Sequence, residues 1–302
     1  MAEQRTYTGG RFQLDIAGYN VAYLKKFSGL AMEADIATND LGTDNQQKKH
    51  VANFKWTGGK ATVGIGMGKG MNDWIAQSFS KGHASKDGQF TSADFDYRAQ
   101  SKIEFYSALI TGVTVPKLSG DSKDAAYFDI EFEPERVKWS KGGGEIIQGK
   151  LGQKQKQWLC SNFRIEVGKL PTTRVASIDS FTWKCAIAPD QLGGFNESTK
   201  HPAKVTTPDL KLAISYADHQ AWADWAYSWF IGGNRKESDE VDGAIIFLGP
   251  NLKDELGRID LKHIGIKKFS DDDAEANSEK IKRFNVELYC EKMVFNMKEV
   301  DA

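Results

Sequence analysis

The sequence has few cysteines and almost no net charge. Its three cysteines, Cys160, Cys185 and Cys290, are far apart in a chain of 302 residues. An odd, widely spaced set forms neither a disulfide framework nor a zinc site, so the sequence predicts buried, reduced thiols, as in a protein that folds in a cytoplasm. The 40 basic and 41 acidic residues give a net charge of -1. This argues against a general binder of polyanions, because such a protein needs an uncompensated basic face.

Long apolar runs and a leader segment are also missing. No apolar stretch approaches the ~18 residues of a membrane-spanning helix, and the N-terminus does not begin with a charged and then an apolar segment. The sequence therefore predicts a soluble protein without a membrane span and without a secretion signal.

The common catalytic motifs do not occur either. The stretch from Gly64 to Gly70 resembles a phosphate-binding loop, but Val63 and Gly70 stand where that loop needs glycine and Ser or Thr. No HExxH or Gly-x-Ser-x-Gly motif is present. The carboxylate pairs Glu131/Glu135 and Glu287/Glu291 alternate with apolar residues, which favours an exposed strand face over acid/base catalysis. We predict no catalytic, cofactor-binding or metal-binding residue and no enzyme, although an enzyme stays open as a second class.

The second half of the sequence repeats the first. Phe128-Asp-Ile-Glu-Phe-Glu-Pro-Glu-Arg-Val137 returns as Phe284-Asn-Val-Glu-Leu-Tyr-Cys-Glu-Lys-Met293, and both lines alternate apolar and polar residues as a half-buried strand does. Other matches follow in the same order, which favours a duplication. They pair Phe12 with Phe163, Ile36 with Ile187, Trp74 with Trp225, Phe79 with Phe230, Gly82 with Gly233 and Gly112 with Gly265.

The duplication sets the predicted domain boundaries. We expect one domain over residues 1–140, a linker over 141–157 and a second domain over 158–302, each domain being large enough for its own core. The linker contains Lys141-Gly-Gly-Gly144 and Gln153-Lys-Gln-Lys-Gln157, which break every periodic pattern. Each domain is predicted to be mainly β, with strands, one helix and more strands forming a β-barrel or sandwich.

One helix is predicted in each domain, and its aromatic stripe is predicted to lie in the core. The second helix has apolar residues at i, i+3, i+4, i+7 and i+8, with Asp218 as the N-cap and Gly232-Gly233 as the stop. The first helix has Ser78 at the position of Trp229, so we expect it to be the weaker one. The predicted core positions are Trp74, Phe79, Trp222, Trp225, Trp229 and Phe230. The tryptophans also leave a carbohydrate-binding β module as an alternative, but their helical spacing favours a core.

Two long polar segments, Thr38 to Asn53 and Pro189 to Pro208, are predicted to be loops. Loops of this length inside a compact domain are uncommon and are usually functional or disordered.

The order of these elements resembles the tail-tube protein family of phages and contractile injection systems. The resemblance rests on Phe12 to Gly18, Phe27-Ser-Gly-Leu30, Lys60 to Met67, Asp73-Trp74, and Gly112-Val-Thr-Val-Pro-Lys-Leu118 through Phe132. It covers the first copy nearly whole and the second copy more loosely. Tube subunits of that family carry one such domain, whereas this chain has two.

The resemblance implies a structural subunit of a myophage or contractile-injection-system inner tube. It implies homo-oligomeric rings of three or six chains joined by their sheet edges and stacked into a conduit for DNA or protein cargo, in contact with sheath and baseplate proteins. The location would be a virion tail assembled in the host cytoplasm. Candidate ring-stacking residues, taken from the two long segments, are Asp40, Gln46, Lys48, Lys49, Asn196 and Lys200. The alternative is a trimeric, pseudo-sixfold baseplate hub or tube initiator.

Overall fold

A computed structural model describes residues 10–21, 24–41, 46–80, 83–147, 158–190, 198–272 and 281–298. The first half of the chain forms β1 (Arg11–Ile16), β2 (Tyr19–Asn20), β3 (Leu24–Gly29), β4 (Met32–Leu41), β5 (Gln46–Trp56), β6 (Gly59–Val63), α1 (Lys69–Phe79), β7 (Lys86–Ala93), β8 (Ala99–Val115), β9 (Leu118–Ser119), β10 (Phe128–Glu133) and β11 (Arg136–Lys141). The second half forms β12 (Phe163–Val167), β13 (Val175–Ile178), β14 (Phe181–Asp190), β15 (Thr199–Thr206), β16 (Leu210–Ser215), α2 (His219–Phe230), β17 (Val241–Leu248), β18 (Glu255–Asp271) and β19 (Arg283–Met297). The predicted mainly β architecture with two α-helices is confirmed.

The long strand β8 organises the first half because it pairs with different strands along its length. Its first part lies between β7 and β11. Its last part pairs with β10, and the sheet continues from β10 through β6 to β3. In the second half β18 has the same place, with β17 and then β12 on one side and β19, β16 and β13 on the other. All of these pairings are antiparallel.

The register of the two halves repeats residue by residue. Phe128 lies opposite Val63 in the first half, and Phe284 lies opposite Ile214 in the second. Strands β8 and β18 are both 17 residues long. Each contains a non-glycine residue with positive φ at the same place, Ser107 at 50° and His263 at 56°.

The strand register also corrects one match made from sequence. Gly112 lies opposite Glu131, whereas the residue opposite Glu287 is Lys268. Gly112 therefore corresponds to Lys268 and not to Gly265. The loop inserted before β18 makes the offset in residue number between the two copies larger than residue types alone indicate. Each copy then has a β-bulge directly after this pair.

The two helices differ in burial. Trp74 and Trp222 are fully buried, Phe79 and Trp229 are buried, and Trp225 is half-buried. Phe230 was predicted to be a core residue, but it is 42% exposed at the C-terminal end of α2.

The first helix is not the less buried of the two. Helix α1 packs against β19 of the second half, and Ser78, which replaces a tryptophan, donates a hydrogen bond of 2.8 Å to the carbonyl of Trp74. In the second helix Asp218 occupies the predicted N-cap position without making a cap hydrogen bond. Its carboxylate instead accepts a hydrogen bond from Arg174 at 2.9 Å. The helix ends just before Gly232, and Gly233 has a φ of 72°, as the predicted stop requires.

The two long polar segments are β-hairpins and not loops. Strands β4 and β5 pair from Met32–Trp56 to Leu41–Gln46, and β14 pairs with β15 from Lys184–Thr206 to Asp190–Thr199. The prediction failed because the outer parts of both hairpins are exposed on both faces, so no apolar alternation marks them as strands. Backbone pairing alone defines these two arms, which we call the first arm (β4–β5) and the second arm (β14–β15).

The predicted linker begins against the first half. Strand β11 ends at Lys141, and Ile147 is buried with Ala93 and Ala99. Residues 148–157, the rest of the predicted linker, lie outside the described residues. Within the described part of the chain, no helix has the length and apolarity needed to cross a membrane.

Candidate subunit interface

The two halves are joined by sheet pairing at one junction, which we call the interhalf seam. Strand β14 of the second half pairs with the last part of β8, with Phe181 opposite Val115 and Lys184 opposite Gly112. Beside it, β13 pairs with β9 of the first half. The second arm thus extends the sheet of the first half, which is the geometry by which separate chains add strands to one another's edges.

Polar side chains fix the register of this seam. The hydroxyls of Thr114 and Thr182, directly opposite each other, are 2.9 Å apart. Ser180 donates a hydrogen bond of 2.9 Å to the carbonyl of Val115, and Lys117 forms a salt bridge of 3.1 Å with Asp179. Because a slip of one residue would turn every side chain to the other face, these contacts specify one alignment.

Aromatic residues fill the space behind the seam. The ring of Phe79, at the end of α1, stacks on Trp183 with centroids 4.6 Å apart. Phe128 contacts three aromatic residues that follow the predicted linker: Trp158 at 5.0 Å, Phe247 at 5.5 Å and Phe295 at 5.8 Å between centroids. The buried residues of both halves consequently form one continuous cluster. The sequence pattern placed Phe79 in the core and Phe128 on a half-buried strand, but it could not show that they meet residues of the other half.

Lys200, one of the predicted stacking residues, is engaged within the chain. Its backbone N–H donates to Glu135 Oε1 at 2.7 Å, and its ammonium group lies 3.0 Å from Glu133. The Lys200 side chain is only 10% exposed. This side chain therefore ties the second arm to the first half and is not available for a contact between stacked rings.

The other predicted stacking residues lie in less constrained places. Lys48 and Lys49 are exposed on β5 of the first arm. Asp40 and Gln46 are near the tip of that arm, where their side chains are outside the described part, and Asn196 is outside the described residues altogether. Their role in stacking stays a prediction.

Replacing the Lys200 side chain should weaken the junction between the halves. We expect Lys200→Met to lower the free energy of unfolding by about 1 kcal/mol, because it removes a mostly desolvated partner of Glu133 but keeps the aliphatic packing. Lys204→Met, on an exposed residue of the same strand, should change it by less than about 0.5 kcal/mol. Urea unfolding of both variants measures the difference, and equal effects would contradict a specific role for Lys200.

The three cysteines are buried and reduced, as predicted from the sequence. Burial raises the pKa of Cys290 to about 11, and it also raises the pKa values of Cys160 and Cys185. A thiol with a raised pKa is a poor nucleophile at neutral pH.

The raised pKa of Cys290 predicts a specific loss of stability in alkali. Between pH 9 and 11 the unfolded chain releases the Cys290 proton but the folded chain keeps it, so the free energy of unfolding falls as the pH rises. The full shift corresponds to roughly 3 kcal/mol. Urea unfolding at pH 8 and above pH 10 should therefore show a smaller decrease for Cys290→Ala than for the wild type. Identical decreases would contradict this.

Two features bear on the alternatives that the sequence left open. Among the described residues, ligand atoms of Glu240, His263 and Glu291 lie within 4.8 Å of one another, but Glu240 accepts a 2.6 Å hydrogen bond from Tyr289 and lies 3.2 Å from His263. Both oxygens of Glu240 are thus already in contact with neighbouring side chains of the chain itself. A sugar-binding platform needs exposed indole faces, whereas Trp74 and Trp222 are fully buried.

Comparison with known proteins gives a family for the first half. Residues 9–138 match the family described as T4-like virus tail tube protein gp19. No curated protein matches the chain. Among solved structures, a chain of an extracellular contractile injection system, the PVC sheath-tube complex in the extended state, is 20% identical, with a TM-score of 0.41, and the match covers 46% of this chain and 95% of that one.

Two further structures are similar over a comparable length. A chain of the PVC sheath/tube terminator in the extended state is 20% identical, with a TM-score of 0.40 and coverage of 46% of this chain and 99% of that one. A chain of the anti-feeding prophage cap, described as a tube terminating cap, is 21% identical, with a TM-score of 0.41 and coverage of 47% and 95%.

The fold and the seam show a β-rich chain whose two halves join by their sheet edges. Over residues 9–138, less than half of the chain, the sequence matches the tail-tube protein family. The resemblance found in the sequence is thereby confirmed for the first half, and this match supports a structural role related to tail tubes.

Proposed function

We propose that the protein is a structural subunit of a phage or contractile-injection-system tail tube, built from two tail-tube-like domains with the boundaries predicted from sequence. Its rings stack into a conduit for DNA or protein cargo, in contact with sheath and baseplate proteins, in a virion tail or injection apparatus assembled in the host cytoplasm. The observation that carries the proposal is the interhalf seam. There the first half, which matches the tail-tube family, pairs its sheet edge with strands of the second half. The second half repeats the internal strand register of the first, so the seam is a junction between two similar units.

The outward face of the central strands suits the wall of a conduit. Lys60 lies 3.1 Å from both Asp129 and Glu131, whose carboxylates raise its pKa above the usual value. In the second half Lys211 pairs with Glu287, and Lys267 pairs with both Glu287 and Asp209. Where these cations are balanced by carboxylates, the wall lacks the uncompensated charge that would hold DNA through counterion release, so cargo would pass without being retained.

A baseplate hub or tube initiator is the second candidate. Two tail-tube-like domains in one chain favour it, because three chains would present six domains to a sixfold tube while keeping threefold symmetry toward another partner. We favour the tube, because a long hairpin arm is present in both halves and exposed residues of β5 and β15 suit repeated stacking.

Mass photometry of the purified protein, with negative-stain images of the same sample, tests the proposal. Rings that stack into tubes support the tube subunit, and three-chain rings that do not stack support the hub. A monomer at every concentration and salt would contradict both.

Charge on the conduit wall should be dispensable for assembly. Glu131→Gln removes one carboxylate from Lys60 but leaves Asp129 in place, so we expect the same distribution of ring masses as in the wild type. Loss of rings in mass photometry would show that Glu131 belongs to a contact between subunits and not to an exposed wall.

A further inference from the structure

We propose that the unpaired edge of β18, in the second half, binds the first arm of another copy. The strands would pair in the register of the interhalf seam, so that copies join head to tail. The inference rests on the proposed function for the closure of the copies into a ring, whereas the pairing itself is argued from the seam. Its site consists of the last part of β18, the C-terminal end of α2 and Glu291 on β19. Its occupant is the start of β4 together with Lys49.

The backbone register gives the pairing. In the seam, Trp183 lies opposite Val113 and Thr182 opposite Thr114. The repeat places Met32 and Ala31 at the positions of Trp183 and Thr182, and Phe269 and Ser270 at those of Val113 and Thr114. Met32 of one copy would therefore lie opposite Phe269 of the next, and Ala31 opposite Ser270.

Both edges needed for this pairing are open among the described residues. The last part of β18 pairs with β19 alone, whereas the same part of β8 is paired on both edges. Strand β4 pairs with β5 alone, whereas β14 also pairs with β8. Open edges are sites where a further strand can add.

An exposed apolar cavity lies where the side chain from the arm would enter. Phe230 corresponds to Phe79, which is buried under Trp183 of the second arm, yet Phe230 is 42% exposed. Together with Phe269, Tyr227 and Ile231 it lines a cavity of about 490 Å³. The residue that corresponds to Trp183 is Met32, which is 50% exposed. A flexible methionine side chain suits an irregular aromatic pocket of this kind.

Polar groups are complementary at two further places. In the seam the backbone N–H of Lys200 donates to Glu135, and the corresponding residues are Lys49 on the first arm and Glu291 on β19. The backbone N–H of Lys49 would thus donate to the exposed carboxylate of Glu291. The same register sets Glu33 opposite Lys268, which places opposite charges on facing strands.

The base of the first arm differs from that of the second. Gly29 and Leu30 have positive φ values of 96° and 61°, whereas the corresponding Ser180 and Phe181 do not have positive φ. A non-glycine residue in this region is strained. The first arm therefore begins at a backbone turn that the docked second arm does not have.

Disulfide formation between copies tests the register. The double variant Ala31→Cys with Ser270→Cys places thiols at the two positions that correspond to Thr182 and Thr114 of the seam. Those two threonines face each other across antiparallel strands, and such a pair of positions suits a disulfide. We expect mild oxidation to give covalent dimers and trimers on a non-reducing gel. The control Ala31→Cys with Asp271→Cys shifts one thiol to the other face of β18 and should give at least about tenfold less product.

Each outcome decides between the alternatives. Efficient cross-linking of the first pair and not of the control supports the inference, even if the rings do not stack, in which case the tube proposal fails separately. Rings on the grid without this cross-link would overturn the inference and leave the tube proposal standing. Absence of both rings and cross-links, or equal cross-linking of both pairs, also rejects the inferred register.

A pair of surface variants gives an independent readout. Phe230→Asp puts a charge into the apolar cavity and should lower the fraction of assembled protein at least about tenfold. Phe95→Asp, at an exposed phenylalanine in the turn between β7 and β8, should leave it unchanged. Circular dichroism checks that both variants fold. Folded Phe230→Asp that assembles like the wild type would contradict a contact at this cavity.

Discussion

Phe128→Ala lowers the free energy of unfolding by about 4 kcal/mol, because it empties a fully buried site between the two halves. Its ring contacts Trp158, Phe247 and Phe295, so the loss affects the second half as well as strand β10. Neighbouring aromatic rings cannot collapse into the space without leaving their own contacts. Urea unfolding followed by tryptophan fluorescence and by circular dichroism measures the effect with two probes.

The matched control is Phe12→Ala. Phe12 lies on strand β1 and is 40% exposed. It should cost about 1 kcal/mol, because much of the ring is already in water. If both variants lost the same free energy, Phe128 would not be a central packing element, and the continuous core between the halves would be in doubt.

Gly29→Ala is expected to cost about 3 kcal/mol or more, for two separate reasons. Gly29 has a φ of 96°, a conformation that disfavours any Cβ atom. A Cβ atom there would also lie 2.1 Å from the carbonyl oxygen of Gly58, so the backbone would have to move. The change in denaturation midpoint, at constant slope, measures this cost.

Gly18→Ala separates the two reasons. Gly18 has a similar φ of 81°, but no atom lies within 4 Å of a Cβ atom built there. Only the conformational cost of about 1 kcal/mol should remain. Equal costs for the two variants would mean that the contact with Gly58 relaxes easily, and that the base of the first arm is looser than its geometry indicates.

The sequence predicts most of the fold because the buried faces of the strands alternate regularly. Phe128, Ile130 and Phe132 are all buried, and the line that repeats them near the C-terminus has the same pattern. The glycine stop of α2 follows equally from local chemistry. These features depend on neighbours in the chain, and a periodic pattern records them.

The arms and the seam depend on contacts that no periodic pattern records. Strands β5 and β15 are exposed on most of their residues, so their side chains carry no signal of a sheet. Phe79 and Phe230 have the same place in the same helical stripe, yet one is covered by Trp183 and the other is open. Only the arrangement of the two halves decides which of them is buried.

The pairing of β14 with β8 within one chain has a kinetic consequence for a ring made of such chains. In such a ring every second sheet junction is an interhalf seam, which forms as the chain folds. The effective concentration of one half around the other is set by the chain segment that connects them and not by the amount of protein in the cell. A ring of three chains then requires two encounters between molecules, whereas a ring of six single-domain subunits requires five. Assembly would accordingly begin at a lower protein concentration, and partly built rings would contain only even numbers of domains.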